Sequence, residues 1–286
     1  MVQPERSLEG RVALITGANT GIGEVTAREL AARGAHVFVA CRSRERTEPA
    51  VAKMRTAVPH AKIEILAVDL GDFASVRACA AEFLGRGLPL HLLINNAGVA
   101  PSRGNFSKSG FELGFGVNHM GHFLLTALLL DRIRESAPAR IVTVASQAHR
   151  DAPGFDWEAL RKPTSSPTGF PEYRVSKLAN VLFSAELARR LDGSGVTTYA
   201  VHPGVVASDI WRPVPAPLRG LIKLFMITPE RGARTTLHCA TSAEAGRETG
   251  LYYDKSRVKA PSALGQDAAL ALELWRHSEE WSRAEA

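Results

Sequence analysis

Tyr173 and Lys177 are the pair of side chains in this sequence that most clearly suggests chemistry. They lie four residues apart in a predicted helix, so both project from one face, one turn from each other. A free tyrosine has a pKa of about 10 and is a poor base near neutrality. A lysine ammonium within a few ångströms favours the phenolate and lowers that pKa. The pair is therefore a candidate for exchanging a proton with an alcohol or carbonyl oxygen.

Two further polar residues stand at the ends of predicted elements. Ser146 follows the apolar run RIVTVA, and the carboxyl ends of parallel strands form the ligand-binding edge of a sheet. We expect its hydroxyl to hold a substrate oxygen. Asn118 lies at the start of a long predicted helix, where it is expected to position a water that links Lys177 to solvent.

The sequence TGANTGIG (16–23) follows one predicted strand and opens a helix at Gly21. Glycine permits a tight turn close to a phosphate, and a helix N-terminus offers free N–H groups and a positive dipole end. The spacing of Gly17, Gly21 and Gly23 is a variant of the dinucleotide-binding fingerprint, and we include Asn19 and Thr20 in the predicted site. A glycine-rich turn of an unrelated α/β protein is the alternative.

The end of the second predicted strand indicates which dinucleotide binds. Sites for NAD usually carry an acidic residue there, which accepts a hydrogen bond from the ribose 2′-hydroxyl. This chain instead has Arg42, with Arg44 close by, and an arginine neutralises a 2′-phosphate and stacks on adenine. The pattern favours NADP(H). The alternative is that both arginines are solvated loop charges, and Glu45 offsets part of their positive charge.

Two more polar segments end predicted strands. Asp69 closes the third strand, where it suits the adenine amino group, although it could instead cap the following helix. Asn95, Asn96, Ala97 and Gly98 read as a turn at the ligand-binding edge.

Short apolar runs alternate with longer amphipathic stretches along the chain. The predicted strands are Val12–Thr16, His36–Cys41, Ile63–Val68, His91–Asn95, Arg140–Ala145, Thr197–His202 and Leu251–Tyr253. The predicted helices run from Gly21 to about Arg33 and near 44–57, 72–85, 111–136, 173–192, 229–243 and 266–282. This alternation predicts a doubly wound α/β fold, a parallel sheet of about seven strands with helices on both faces. We expect one domain over residues 1–286, with substrate-side insertions near 147–172 and 208–228.

Composition and charge exclude several classes. The 286 residues are 45% hydrophobic and 22% charged, unlike a disordered, collagen-like or disulfide-rich chain. The net charge of +6 is spread along the chain without a basic stripe, so we expect no nucleic-acid partner. Cys41, Cys79 and Cys239 form no CxxC pair, which fits a reducing compartment. His119 and His122 lack further ligands, so helix packing is favoured and no metal is expected.

The first ten residues are polar, and the longest apolar runs are too short to cross a bilayer. We therefore expect no secretory signal, no transmembrane segment and a cytoplasmic location. The apolar stretch within Asp209–Ile227 leaves three alternatives open. It is a lid over a lipophilic substrate, a surface helix packed on the core, or a shallow membrane contact.

The order TGxxxGxG, NNAG, Asn118, Ser146 and YxxxK resembles the short-chain dehydrogenase/reductase family, over roughly residues 10–255. The resemblance implies a Rossmann-type fold with Asn118, Ser146, Tyr173 and Lys177 as the catalytic tetrad. It also implies a cofactor shell, which consists of Gly17, Gly21, Ile22 and Gly23 at the pyrophosphate, Asp69 at adenine with Leu70 beside it, Asn95, Ala97 and Gly98 at the ribose, Tyr173 and Lys177, and Pro203, Gly204, Val206 and Ser208 near the nicotinamide.

Phrases such as LLINNAG, GVNHMGHFLLT and YRVSKLANVLFSAELARRL, with the long gap between Ser146 and Tyr173, are similar to the retinol dehydrogenase-like branch. This implies NADP(H)-dependent interconversion of a lipophilic, retinoid-like alcohol and its aldehyde or ketone. It also implies a homodimer or homotetramer formed through the helices predicted at 111–136 and 173–192.

Two other functions use the same residues. One is reduction of a C=C bond in a large ring system with the same Tyr/Lys pair. The other is a sensor that binds NADP(H) and regulates a partner without turnover. The complete tetrad argues against the sensor, because cofactor binding alone does not need all four side chains.

Overall fold

A computed structural model describes residues 7–204 and 227–283, whose strands form one sheet. The strands are β1 (Val12–Thr16), β2 (His36–Cys41), β3 (Lys62–Ala67), β4 (Leu92–Asn95), β5 (Ala139–Val144), β6 (Val196–His202), β7 (Leu251–Asp254) and β8 (Arg257–Val258). Their order is β3-β2-β1-β4-β5-β6-β7-β8, parallel except between β7 and β8. The doubly wound parallel sheet is confirmed. The additional β8 has two exposed residues and therefore no hydrophobic pattern in the sequence.

Helices cover both faces of this sheet. They are α1 (Gly21–Ala32), α2 (Arg44–Ala57), α3 (Phe73–Leu84), α4 (Leu113–Glu135), α5 (Phe170–Arg190), α6 (Pro229–Thr241) and α7 (Ala268–Arg283). One buried apolar cluster joins the sheet to α3, α4, α5 and α7, and a second joins it to α1, α2 and α6. Every residue of β1 is buried, as expected of a central strand covered on both sides. The strand order reverses around β1 and β4, and a crevice opens there beyond their carboxyl ends.

Helix α4 is the longest apolar element next to this crevice. By length and composition it could cross a membrane, but 72% of its most apolar stretch is buried inside this fold. Packing against the sheet and α3 therefore accounts for its hydrophobicity. Its segment Gly116–Met120 is a π-helix, a local change of register that is often found at functional sites.

Helix α7 covers part of α4 and α5. Trp275 of α7 stacks on Phe183 with 5.9 Å between ring centroids, and its edge meets Phe123 at 5.0 Å. The Arg190 guanidinium lies 4.3 Å from the Trp275 ring centroid. These contacts occupy part of the two helices on which the resemblance implies a subunit interface, and the oligomeric state stays a prediction.

The two predicted insertions differ in what can be described. Residues 147–172 contain two 3₁₀ turns, Gln147–Asp151 and Ala159–Arg161, and α5 starts at Phe170, a little before the predicted position. The segment is anchored where the Thr164 hydroxyl donates to the buried Glu112 carboxylate at 2.5 Å. Most of the insertion predicted near 208–228 lies outside the described residues.

Gly121 shows how closely α4 crosses the chain beyond β3. A Cβ atom at this position would lie 2.2 Å from the Leu70 carbonyl oxygen. We expect Gly121→Ala to lower the free energy of unfolding by about 1–3 kcal/mol through overpacking, although alanine is the better helix former by about 1 kcal/mol. Urea denaturation measures this, with Ala127→Gly at an exposed position of the same helix as the control for propensity. A neutral or stabilising Gly121→Ala would contradict the close crossing.

Candidate active site

A cavity of about 860 Å³ lies at the carboxyl edge of the sheet. It brings together most of the residues that the sequence singled out. From the predicted site its walls contain Gly17, Asn19, Thr20, Gly21, Ile22, Gly23, Arg42, Asp69, Leu70, Ala97, Gly98, Ser146, Tyr173, Lys177, Pro203 and Gly204. Asn95 and Asn118 lie behind these walls, and Val206 and Ser208 lie outside the described residues.

Helix α5 places the acid–base pair beside the end of β5. Lys177 is 2% exposed, and its ammonium donates to the Val144 carbonyl at 2.9 Å. Its Nζ atom lies 5.6 Å from the centre of the Tyr173 ring. The Ser146 hydroxyl lies close enough to the Tyr173 phenol to lower its pKa. Three of the four residues predicted to form the tetrad therefore meet at one wall of the cavity.

Desolvation dominates the charge states of this pair. It raises the pKa of Tyr173 to about 12, although the nearby Ser146 hydroxyl acts in the opposite direction. Burial lowers the pKa of Lys177 to about 7. The protein alone thus does not produce the lowered tyrosine pKa expected from the spacing. The reason is that removing a phenolate and an ammonium from water costs more free energy than their mutual attraction returns at this separation.

Ser146 is held by two histidines of its surroundings. The backbone N–H of Ser262 donates to His149 Nε2 at 3.1 Å, so the ring proton is on Nδ1 and donates to the Ser146 carbonyl at 2.6 Å. His202 Nδ1 accepts from the next backbone N–H, that of Gln147. These bonds fix the main chain at Ser146 and leave its hydroxyl on the cavity wall. Neither arrangement was predicted, because His149 pairs with Ser262 and His202 with Gln147, which are distant in the chain.

Asn118 lies in the π segment of α4 and is fully buried. Its Oδ1 atom accepts from Val99 N at 2.8 Å, and its Nδ2 atom donates to Val99 O at 3.0 Å and to Ser176 Oγ at 2.9 Å. A Cβ on Gly98 would lie 3.5 Å from both the Asn118 Oδ1 atom and the Lys177 Nζ atom. Asn118 thus braces the loop after β4 against α5, next to the ammonium.

The glycine-rich turn leaves the start of α1 open to the cavity. Gly17 and Gly21 have φ angles of 64° and 60°, which glycine adopts without strain. Thr20 precedes α1 but makes no side-chain capping bond, so the first N–H groups of the helix face the cavity with their positive dipole end. A Cβ on Gly23 would lie 2.5 Å from both the Asn96 Nδ2 atom and the Gly17 carbonyl oxygen. This cradle fits a phosphate-bearing dinucleotide.

The turn after β4 uses its two asparagines differently. Asn95 is fully buried and its Nδ2 atom donates to Thr126 Oγ1 in α4 at 3.0 Å. Asn96, which the sequence reading left without a role, lines the cavity and donates from Nδ2 to the carbonyl oxygens of Thr16 and Gly17 at 2.8 and 3.3 Å. Strand alternation, which the turn motif alone does not reveal, sends the two side chains to opposite sides.

The arginines after β2 also separate. Arg42 lines the cavity, whereas the Arg44 guanidinium donates to the Ile65 carbonyl of β3 at 2.9 Å. Arg46, one helical turn further, lines the cavity together with Ser43. The hydroxyl of Ser43 caps α2 by accepting from Arg46 N. The positive edge of the cavity is thus formed by Arg42 and Arg46, and Arg46 was not predicted.

Asp69 belongs to the cavity wall rather than to a helix cap. Its Oδ1 atom accepts from Gly71 N at 3.0 Å, whereas Asp72 caps α3 by accepting from the N–H groups of Ala74 and Ser75. At the other end of the cavity, Gly204 has a φ angle of 91°, and a Cβ there would lie 2.5 Å from Ile227 Cδ1. A larger residue at this position would therefore collide with Ile227.

The histidines and cysteines set aside above are all built into the core. His119 Nε2 lies 2.9 Å from Ser278 Oγ of α7, and His122 bonds to Thr16 and Asn118. The three cysteines are free and buried. Within residues 7–204 and 227–283, no three His, Cys, Asp or Glu side chains are grouped to hold a metal ion.

Comparison with known proteins gives a consistent result. The family model for short chain dehydrogenases matches residues 11–159. Human retinol dehydrogenase 12 is 45% identical over 273 residues, which cover 95% of this chain and 86% of that protein. Human retinol dehydrogenase 11 is 44% identical over 270 residues, covering 94% and 84%. The chain belongs to the short-chain dehydrogenase family. It is an oxidoreductase of the retinol dehydrogenase-like type, in a family that binds NAD(P)(H).

Solved structures agree with this assignment. A crystal structure of an uncharacterised protein from Mycobacterium paratuberculosis has a TM-score of 0.76 and 34% identity to this short-chain dehydrogenase, covering 97% of this chain and 95% of that one. A 3-ketoacyl-(acyl-carrier-protein) reductase from Brucella melitensis, complexed with NADH, has a TM-score of 0.67 and 25% identity, covering 87% and 97%. An actinorhodin polyketide ketoreductase with NADPH has a TM-score of 0.68 and 25% identity, covering 90% and 98%. This fold thus accommodates either nucleotide.

The lowered pKa of Lys177 predicts a pH dependence of stability. The pKa of Lys177 is about 7 in the folded protein and ordinarily 10.5. Between these two pH values the unfolded chain binds a proton that the folded chain does not. The free energy of unfolding therefore gains up to about 1.4 kcal/mol per pH unit from this group as pH rises. Lys177→Met lacks this contribution, so the stability difference between wild type and variant should shift in favour of wild type from pH 7 to pH 9.

Urea denaturation at pH 6, 7.5 and 9 tests this prediction. The exposed Lys162→Met is the control and should show a constant difference from wild type. A constant difference for Lys177→Met as well would mean that the buried amine keeps its ordinary pKa.

Proposed function

We propose that this short-chain dehydrogenase interconverts a lipophilic, retinoid-like alcohol and its aldehyde or ketone with NADP(H), using Tyr173 as the acid–base. The observation that carries the proposal is that Ser146, Tyr173 and Lys177 line the same cavity, with the buried Lys177 Nζ 5.6 Å from the centre of the Tyr173 ring. The open N-terminus of α1 supplies the phosphate site at the other end of the same cavity.

Each residue has a separate task in this reaction. When bound, a nicotinamide supplies a hydride to the carbonyl carbon or accepts one from the alcohol carbon. The Ser146 hydroxyl holds the substrate oxygen within reach of Tyr173, whose phenol donates the proton that the oxygen needs in reduction and whose phenolate removes it in oxidation. Lys177 stabilises the phenolate that remains after reduction, and Asn118 holds α5 and the loop after β4 in place.

The raised pKa of Tyr173 sets the protonation state of the site in the absence of a cofactor. A pKa of about 12 for Tyr173 keeps the phenol protonated at neutral pH, which is the form that donates a proton to a developing alkoxide. Oxidation needs the phenolate, and its formation depends on positive charge brought near the ring.

The preference for NADP(H) rests on the end of β2. Arg42 and Arg46 line the cavity there with the hydroxyl-bearing Ser43 between them, and a 2′-phosphate is an anion that arginine pairs well. Asp69 lies at the next strand end, and its carboxylate is within the cavity wall at a position suited to the adenine amino group.

A lipophilic substrate is supported by the cavity and by the relatives. Two aromatic side chains that are more than a third exposed, Phe106 (43%) and Phe170 (40%), both line the cavity. Exposed apolar groups gathered in a concave site mark ligand surfaces. The relatives described above are named retinol dehydrogenases. A cytoplasmic location stays a prediction from the sequence.

A matched set of arginine variants tests the cofactor preference. We expect Arg42→Ala and Arg46→Ala each to weaken NADPH binding about tenfold, the equivalent of 1.4 kcal/mol, and to leave NADH binding unchanged. Arg44→Ala is the control, because that guanidinium bonds to β3. Nucleotide fluorescence titration gives the three dissociation constants. Wild-type protein that binds NADH as tightly as NADPH would contradict the preference.

The role of Tyr173 is tested by Tyr173→Phe. Loss of the acid–base should lower turnover of all-trans-retinal and of long-chain aldehydes by about 10²- to 10⁴-fold, with the NADPH dissociation constant unchanged. Tyr199→Phe is the control, since the Tyr199 hydroxyl donates to Ala245 O away from the cavity. Full turnover by Tyr173→Phe would refute the mechanism. Tight NADPH binding without turnover of any carbonyl by the wild type would favour the sensor instead.

A further inference from the structure

His122 joins the two halves of the candidate site. It is 1% exposed and lies on α4, one turn after Asn118. Its Nδ1 atom is 3.0 Å from the Asn118 carbonyl oxygen, and its Nε2 atom is 2.8 Å from Thr16 Oγ1 at the end of β1. One ring thus connects the strand that leads into the glycine-rich turn with the helix that carries Asn118.

The hydrogen bonds around Thr16 fix the protonation of this ring. Thr16 Oγ1 accepts from the backbone N–H groups of Asn96 at 2.9 Å and Ala97 at 3.0 Å. A hydroxyl oxygen has two lone pairs, so these bonds use its acceptor capacity and the hydroxyl proton must be donated. His122 Nε2 at 2.8 Å is a much better acceptor than Ile94 O at 3.5 Å.

The imidazole therefore has a lone pair on Nε2 and a proton on Nδ1, which donates to the Asn118 carbonyl. Burial, with a smaller contribution from the nearby Lys177 charge, lowers the pKa of His122 to about 4. The ring is thus neutral near pH 7, in agreement with the tautomer that the hydrogen bonds around Thr16 require.

The bond to the Asn118 carbonyl lies in an irregular part of the helix. It belongs to the π segment Gly116–Met120, where the helical hydrogen-bond register changes and an extra partner stabilises the distorted turn. The Asn118 side chain holds Val99 and Ser176, and Ser176 is adjacent to Lys177. A shift at this carbonyl would move both the loop after β4 and the tetrad helix.

We propose that His122 is a positioning residue that couples the cofactor turn to the tetrad, through Thr16 on one side and Asn118 on the other. The proposal rests on the proposed function for its catalytic consequence and on the hydrogen-bond network for its effect on nucleotide binding. His122 touches neither substrate nor cofactor; it acts through Asn118 and through the turn that Thr16 holds.

His119 supplies a matched control on the same helix. It is also 1% exposed, but its Nε2 atom bonds to Ser278 of α7, away from the cavity. His122→Phe and His119→Phe remove the same chemical group from equally buried positions. We expect His122→Phe to weaken NADPH binding by more than about twofold and to lower kcat for all-trans-retinal about 10- to 100-fold, the effect of a small misplacement of catalytic groups. His119→Phe should change both quantities less than about twofold.

Two conservative variants separate the two bonds. In His122→Asn the side-chain amide replaces Nδ1 and still donates to Asn118, so kcat should recover while NADPH binding stays weakened. In His122→Gln the amide replaces Nε2 and still accepts from Thr16, so NADPH binding should recover while kcat stays low. A purely structural role would instead change both quantities in parallel with the melting temperature.

The measurements are kcat and KM with all-trans-retinal, the NADPH dissociation constant by fluorescence, and the melting temperature of each variant. If His122→Phe keeps kcat and NADPH binding within twofold of His119→Phe, or if the Asn and Gln variants show no split, the positioning role is overturned. If wild type turns over no carbonyl, the proposed function fails, and the NADPH constants of His122→Phe and His122→Gln still decide whether His122 holds the cofactor turn. If His122→Phe does not fold, the Asn and Gln variants decide both effects.

Discussion

The bond from the buried Lys177 ammonium to the last carbonyl of β5 is the constraint on which the site depends. An ammonium that is 2% exposed needs a strong acceptor, because an unpaired buried charge is very costly. The Val144 carbonyl provides it at 2.9 Å, and Asn180 donates to the same oxygen at 3.1 Å. Two donors one turn apart bond to the same carbonyl, and together they fix both the rotation of α5 about its axis and its position along that axis relative to the sheet.

The positions of the neighbouring site residues follow from that register. With Lys177 tied to Val144, the residue one turn earlier, Tyr173, emerges beside Ser146, which is two residues beyond Val144 in the chain. Ser176 faces α4 and accepts from Asn118. The lowered pKa of Lys177 and the raised pKa of Tyr173 are consequences of the same burial. The fold thus loses electrostatic stability at this point, which is typical of functional sites.

The sequence predicted the central elements well, because each had a local signal. Fully buried parallel strands such as β1 read as short β-branched runs, and the glycines of the α1 turn have positive φ angles that few other residues adopt. Ser146 follows the end of β5 and Tyr173 lies in the first turn of α5, close to element ends that hydrophobic patterning locates. Less was predictable where the signal was weak: β8 has two exposed residues, and α5 starts at Phe170, before the apolar pattern becomes regular.

What the sequence by itself determined is which residue types follow one another at the carboxyl edge of the sheet, since periodicity and turn chemistry are local properties. Only the tertiary structure decided how neighbouring residues divide their roles. Asn96 rather than Asn95 lines the cavity, Arg46 rather than Arg44 joins Arg42, and His122 rather than His119 bonds to Thr16 at the end of β1. In each pair the residue types are identical. Their partners lie on strands and helices far away in sequence, and only the packing of those elements fixes which side chain meets the cavity and which is used to hold it together.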